Sequence, residues 1–301
     1  MIMTNKFGIP ESFLNFINNS KYSRGEADIS VTQLIDSPRV RLLRHSHDDE
    51  IEFDASDRIW SLFGTAVHHV LESTESGEDI TIEERLFADF KGWTLSGAID
   101  VQEDINGKIW ITDYKVTSVY SVLNGTKREW ELQQNVYAQL VRMAKGKEIG
   151  GIQICAILRD WSRRDAQYKA DYPSSPVTIV DLELWSEDKV TQYINERIDI
   201  HQEAQMAWDY EEATVQCLND ERWMKQTQYA VMKKGAKRAL RVFDDQQKAI
   251  DHVAGFGQSS TAIYIERRAG EYTRCAGNYC QVAPFCTQYV MEAVEKELEV
   301  V

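Results

Sequence analysis

The dipeptide Asn106-Gly107 separates two runs of alternating residues, Leu95–Ile105 and Lys108–Val116, and constrains the chain more than any other feature. The favoured two-residue hairpin loop needs positive φ at both positions, which Asn and Gly tolerate best. With that pair as the loop, Ile105 faces Lys108, and counting outward places Asp100 opposite Asp113. Alternation then puts Asp100, Asp113 and Lys115 on one face, with the small Ala98 opposite Lys115. Ile99, Val101, Trp110 and Tyr114 fall on the other face, where they can pack into a core. Directly opposed side chains have Cβ atoms roughly 4.5–5.5 Å apart, and like charges there destabilise a sheet. Two facing carboxylates therefore call for a cation. Oxygen ligands at that spacing suit Mg²⁺ or Mn²⁺.

The remaining elements are read around this hairpin. Residues 1–28 are expected to be a loosely packed lead-in. Asp28–Ile35 enters a helix with Ser30 or Thr32 as cap. His45-Ser46-His47-Asp48-Asp49-Glu50 reads as a solvated turn rather than a metal tract. Asp57–Ser73 is a helix whose apolar face holds Ile59, Trp60, Phe63, Val67, Val70 and Leu71. Gly64 and His68 lie one turn apart on it; an isolated histidine there would be a core residue. Ile80–Phe90 is a strand on which Glu83 or Glu84 either extends the acidic site or faces solvent. A helix over Glu129–Ala144 places Gln133 and Tyr137 on one side. Gly151–Leu158 is a buried strand with Cys155 in the core, followed by a basic turn of Arg159, Arg163 and Arg164. Val177–Leu184 is a further strand, and Ser186 caps a long helix to Tyr210.

The chain has 301 residues, and its 43% hydrophobic content excludes wholesale disorder. No run of about 18 apolar residues occurs, so no membrane helix is expected. The N-terminus lacks a basic stretch followed by an apolar one, so no signal peptide is read and a cytosolic place is expected, bacterial or in an infected host. A net charge of −14 argues against a protein that coats nucleic acid non-specifically. A local basic patch remains: Thr227–Phe243 reads strand, turn, strand and holds Lys233, Lys234, Lys237, Arg238 and Arg241. It serves either phosphate contact or protection of a sheet edge. Five cysteines in a cytosolic chain suggest a metal site over disulfides. Three of them, in Cys275-x4-Cys280-x5-Cys286, have the spacing of thiolate ligands.

Four motifs stand in one order: Gly64-x3-His68, Gly97-x2-Asp100, Asp113-Tyr114-Lys115 and Gln133-x3-Tyr137. Together they resemble the PD-(D/E)XK nucleases, in particular the RecB-like branch with its phage exonucleases and CRISPR-associated members. The resemblance covers roughly Ile29–Leu158. It implies an α/β fold with a restriction-endonuclease-like core, a mixed central sheet flanked by helices, and a C-terminal cysteine-bearing extension. The expected division is lead-in 1–28, core 29–185 and helical and hairpin extension 186–301. It further implies metal-dependent hydrolysis of DNA, with His68, Asp100, Asp113 and the Tyr114 carbonyl as ligands of Mg²⁺ or Mn²⁺. Lys115 would orient the attacking water, Gln133 would face the site, and Tyr137 would pack or touch DNA beside it. Lys233, Lys234, Lys237 and Arg238 are the candidate DNA contacts.

Relatives often hold a [4Fe–4S] cluster on such a cysteine group, with a fourth cysteine ahead of the nuclease motifs. This chain has none there, near Ser37-Pro38, and Cys217 is the substitute considered with Cys275, Cys280 and Cys286. Zinc or three idle thiols are the alternatives. The reading is a DNA exonuclease of viral or bacterial recombination, repair or end processing, acting on DNA with a free end or a single strand. Recombination or replication proteins would be its partners. A CRISPR-adaptation-like trimming nuclease and a non-catalytic iron–sulfur DNA-end binder are the rival readings.

Overall fold

In the computed structural model, Asn106 and Gly107 turn the chain with φ of 55° and 83°. The strands they join run Trp93–Ile105 and Lys108–Thr117, and Ile105 pairs with Lys108 as the turn requires. The structure describes residues 1–19, 25–72, 77–123, 125–211, 215–256 and 262–291. It divides into two units, Met1–Val215 and Gln216–Val301.

The first unit begins with β1 (Ile2–Thr4) and α1 (Glu11–Asn19), then β2 (Ile29–Ser30), α2 (Val31–Leu34) and α3 (Pro38–Ser46). There follow β3 (Glu52–Asp54), α4 (Ile59–Glu72), β4 (Ile80–Phe90) and the hairpin strands β5 (Trp93–Ile105) and β6 (Lys108–Thr117). After α5 (Tyr120–Leu123) come α6 (Arg128–Lys145), β7 (Glu148–Leu158), α7 (Arg163–Tyr168), β8 (Val177–Asp181) and α8 (Glu187–Glu211). Strands β4 and β5 pair antiparallel, as do β5 with β6 and β7 with β8. The β6–β7 pair is parallel, and α6 makes the long crossover that such a pair needs. Leu95 of β5 pairs with both Ala88 of β4 and Ile29 of β2. Thus β2 occupies the β5 edge that β6 has left. The unit is α/β, a mixed six-stranded sheet flanked by helices, in the restriction-endonuclease-like arrangement the motifs implied.

The main core joins three layers: Leu95, Ile99, Ile109 and Ile111 of the hairpin, Val136, Tyr137, Leu140 and Val141 of α6, and Val190, Ile194 and Ile198 of α8. Ser186 caps α8 as expected, its Oγ accepting from Lys189 N–H at 3.3 Å. At the C-terminus of α2, the Leu34 carbonyl accepts from Arg197 Nε (3.0 Å) and from His201 Nε2 (3.2 Å), both on α8. These bonds satisfy a helix-end carbonyl that has no partner within its own helix.

Several expectations change. The lead-in is partly ordered: β1 pairs parallel with β3, a contact some fifty residues distant that no local pattern reveals. On β6 the strongest burial falls on Ile109, Ile111 and Asp113, while Trp110 and Tyr114 are half-buried. Cys155 is half-buried rather than core. Helix α4 has no fully buried side chain among its described residues, and Trp60, Phe63 and Val70 are exposed. His45 lies in the last turn of α3, while His47 pairs with Glu50 at 2.7 Å.

In the second unit, β9 (Met224–Lys225) is followed by β10 (Gln228–Lys233), β11 (Arg241–Phe243), α9 (Gln246–Ala254) and β12 (Ile263–Arg268). The chain then forms β13 (Glu271–Tyr272) and α10 (Thr273–Ala276). Strand β10 pairs antiparallel with β11 on one side and with β12 on the other. The pair β9–β13 draws the stretch after Cys217 against the cysteine-bearing tail. Among the described residues, no helix is long and apolar enough to cross a membrane.

Candidate metal centre

The β5–β6 ladder stops at Val101–Thr112. One residue further, the Asp100 side chain replaces the missing backbone bond: its Oδ2 accepts from Tyr114 N–H at 2.8 Å. On the other side of β5 the register places Glu83 of β4 beside Asp100, between the pairs Ile82–Val101 and Glu84–Ile99. Glu83, Asp100 and Asp113 therefore form a row across three strands. Glu83 has φ of 50°, in the left-handed region rare for a residue with a side chain. Backbone strain of that kind is tolerated only where the surroundings over-determine it.

His68 reaches this row from α4. Its Nδ1 lies 3.4 Å from Glu83 Oε1 and 3.5 Å from Asp100 Oδ2, and its ring meets that of Tyr114 edge-on. One donor atom each from His68, Glu83 and Asp100 lie within 4.8 Å of one another, so the three can hold a metal ion. Sequence left Glu83 and Glu84 open. The structure turns Glu84 elsewhere, to Gln102 Nε2 at 2.8 Å and to the Lys145 ammonium.

The electrostatics match a site short of positive charge. Burial, then the charge of Asp113, pushes the Asp100 carboxyl up to about 7, against the opposing pull of His68, Lys115 and the Tyr114 N–H. The hydrogen bond with Glu83 and the charges of Asp100 and Asp113 raise His68 above its ordinary value despite desolvation. Burial works against the Lys115 ammonium, but the charge and hydrogen bond of Asp113 outweigh it and raise its pKa. Lys115 Nζ meets the buried Asp113 Oδ2 at 2.6 Å. Crowded oxygens with a raised pKa are the donor set a hard divalent cation stabilises.

The other motifs serve this geometry. A Cβ on Gly97 would lie 2.7 Å from Tyr137 Cε1 and 2.9 Å from Leu140 Cδ1, so α6 can close on β5 only over a glycine. Gln133 is buried and donates from Nε2 to Tyr137 Oη at 2.8 Å. The Gly97 and Gln133–Tyr137 motifs are thus one packing unit that seats the strand carrying Asp100. Tyr114 contributes its N–H to Asp100 and its ring to His68.

In the second unit, Lys233, Lys234, Lys237 and Arg238 are exposed around the turn after β10. Cys275 and Cys286 are buried, Cys217 and Cys280 half-buried, and none forms a disulfide. Burial pushes the Cys280 thiol up; the Val282 N–H and Arg274 oppose it, and the neighbouring Cys275 and Cys286 add to it. Gln288 clasps the Cys217 backbone, accepting from its N–H at 2.9 Å and donating to its carbonyl at 3.2 Å. The sequence substitute Cys217 is thereby held against the segment of Cys286.

Fold and site define an α/β protein with a restriction-endonuclease-like core and a His68–Glu83–Asp100 group able to hold a divalent metal. No model of a known protein family matches the chain, and neither does any curated protein. Among solved structures it is similar to the crystal structure of SSO0001, at 15% identity and a TM-score of 0.41, covering 62% of this chain and 81% of that one. It is also similar to a protein from Eubacterium rectale named "Putative exonuclease", at 14% identity and a TM-score of 0.29. That match covers 49% of this chain and 51% of the other, so this chain spans about half of that protein's length.

Proposed function

We propose that the protein is a divalent-metal-dependent nuclease that hydrolyses DNA phosphodiester bonds, acting as an exonuclease in recombination, repair or end processing. The observation that carries the reading is the acidic row Glu83–Asp100–Asp113 at the splayed end of the hairpin, flanked by His68 and Lys115. His68, Glu83, Asp100 and Asp113 would hold Mg²⁺ or Mn²⁺, with the Tyr114 carbonyl as a further oxygen. A bound divalent ion supplies Lewis-acid neutralisation of phosphate charge and a water made acidic at neutral pH. Lys115, kept protonated by Asp113, orients the attacking water and stabilises charge growing on the phosphate oxygens. As the water's oxygen bonds to phosphorus, the bond to the leaving sugar oxygen breaks and that oxygen takes up a proton. Asp113 fixes Lys115, and Asp100 fixes the Tyr114 backbone, so neither group must reorganise during the step.

The exposed Lys233–Arg238 turn would supply phosphate contacts in an otherwise acidic chain. Cys217, Cys275, Cys280 and Cys286 would ligate one [4Fe–4S] centre that pins the tail of the second unit; the β9–β13 pair, which sets the stretch after Cys217 beside the segment before Cys275, and the Gln288 bond to the Cys217 backbone support it. The test is digestion of end-labelled linear and circular DNA with and without Mn²⁺. Metal-dependent loss of linear DNA, abolished in Lys115→Ala, is expected. Full activity in Lys115→Ala, or none in the wild type with metal, would overturn the reading.

A further inference from the structure

Helix α4 reads as amphipathic, yet Trp60 is 56% and Phe63 43% exposed. Large side chains of this kind usually bury themselves, so their exposure beside a site points to something outside the chain. The Arg159 guanidinium lies over the Trp60 ring, 4.3 Å from its centroid. Arg159 N–H donates to the Thr117 carbonyl at 2.9 Å, two residues past Lys115 on β6. The pair therefore stands at the end of the strand that carries the charged centre. Arg163 and Arg164 are exposed at the start of α7, a few residues further on. Asp160 accepts from Val119 N–H at 2.7 Å, and Asp165 pairs with Lys169 at 3.1 Å.

Trp60, Gly64 and His68 follow at intervals of four, so they line one side of α4 over about 12 Å. A Cβ on Gly64 would meet nothing within 4 Å, so the fold itself does not demand glycine there. Glycine weakens a helix interior, and its use leaves a low path between the indole and the metal-binding histidine. We propose that Trp60 and Arg159 form a stacking platform for an unpaired nucleobase, from which the strand runs over Gly64 to the metal centre. A flat exposed aromatic with an adjoining cation fits a base and its phosphate, whereas an apolar protein surface would offer the Arg159 guanidinium no charge to pair with. The identity of the ligand rests on the nuclease reading; the platform can be tested apart from it.

The test is binding of fluorescein-labelled oligothymidylate to the full chain in EDTA, read by anisotropy. Trp60→Ala should weaken binding roughly 5- to 150-fold, the range of one lost base stack. Trp60→Phe should restore most of it. An abasic oligonucleotide of equal length should bind wild type and Trp60→Ala alike. Equal oligothymidylate affinity in wild type and Trp60→Ala, or no binding by either, overturns the platform. So does a change in oligomeric mass on Trp60→Ala with binding unaltered, which would make this face an interface between copies. Binding that depends on Trp60 without Mn²⁺-dependent cleavage keeps the platform and sinks the hydrolysis. Cleavage with Trp60-independent binding does the reverse.

Discussion

Asp100→Asn should make the metal-free protein more stable. The carboxyl is pushed from 3.8 to about 7, first by burial and then by Asp113. A folded-state pKa above the unfolded one means that the native protein holds an extra proton between those values. Its stability is complete below pH 3.8 and is lost as pH rises through 7. At 1.36 kcal/mol per unit, the loss above pH 7 is about 4 kcal/mol. Asn keeps an oxygen for the Tyr114 N–H and carries no charge, so it removes this penalty. For a unit of this size, thermal melts in EDTA at pH 8 should place the variant roughly 8–16 °C above wild type, with the two converging near pH 4. Mn²⁺ should narrow the gap, adding about 2.7 kcal/mol to wild type at a hundredfold excess over Kd and nothing to the variant. A variant equal to or less stable than wild type in EDTA at pH 8 would refute the reasoning, as would a gain independent of pH.

His201 runs the other way: burial, then Arg197 and Arg41, lower it from 6.5 to about 3, so its contribution is complete above pH 6.5 and falls as pH drops. Wild type should lose about 2 kcal/mol more than His201→Gln between pH 7 and 5 in urea titrations; parallel pH profiles would contradict this. Gly97→Ala should cost about 1–3 kcal/mol by forcing Tyr137 and Leu140 off the sheet, and an unchanged urea midpoint would deny that contact. Anaerobically purified protein should be brown and should bleach in Cys217→Ser but not in Cys155→Ser; colourless protein with stoichiometric zinc would replace iron in the account.

The hairpin was legible because its turn chemistry is local. Asn106-Gly107 dictates the register, and the register dictates that Asp100 and Asp113 meet. Helices α6 and α8 followed from periodicity and from Ser186 as a cap. What could not be read depends on distant partners. The choice of Glu83 over Glu84 turns on one positive φ in a strand whose alternation treats both as plausible. Apolar spacing described α4 correctly as a helix, but not that Trp60 and Phe63 would remain outside. Strand β12 lies in a mixed stretch, IYIERR, whose partners on β10 stand thirty to forty residues earlier. His201 and Arg197 gave no sequence signal, since their role is to satisfy the Leu34 carbonyl across the fold.

The central claim is that His68, Glu83 and Asp100 close around a cation the protein needs. Calorimetric titration of the full chain with Mn²⁺ at pH 8 tests it most directly. The account predicts saturable binding in the wild type, loss of it in Asp100→Asn and in Glu83→Gln, and unaltered binding in Glu84→Gln, whose carboxylate is turned to Lys145. Mn²⁺ binding that survives both Asp100→Asn and Glu83→Gln would contradict it.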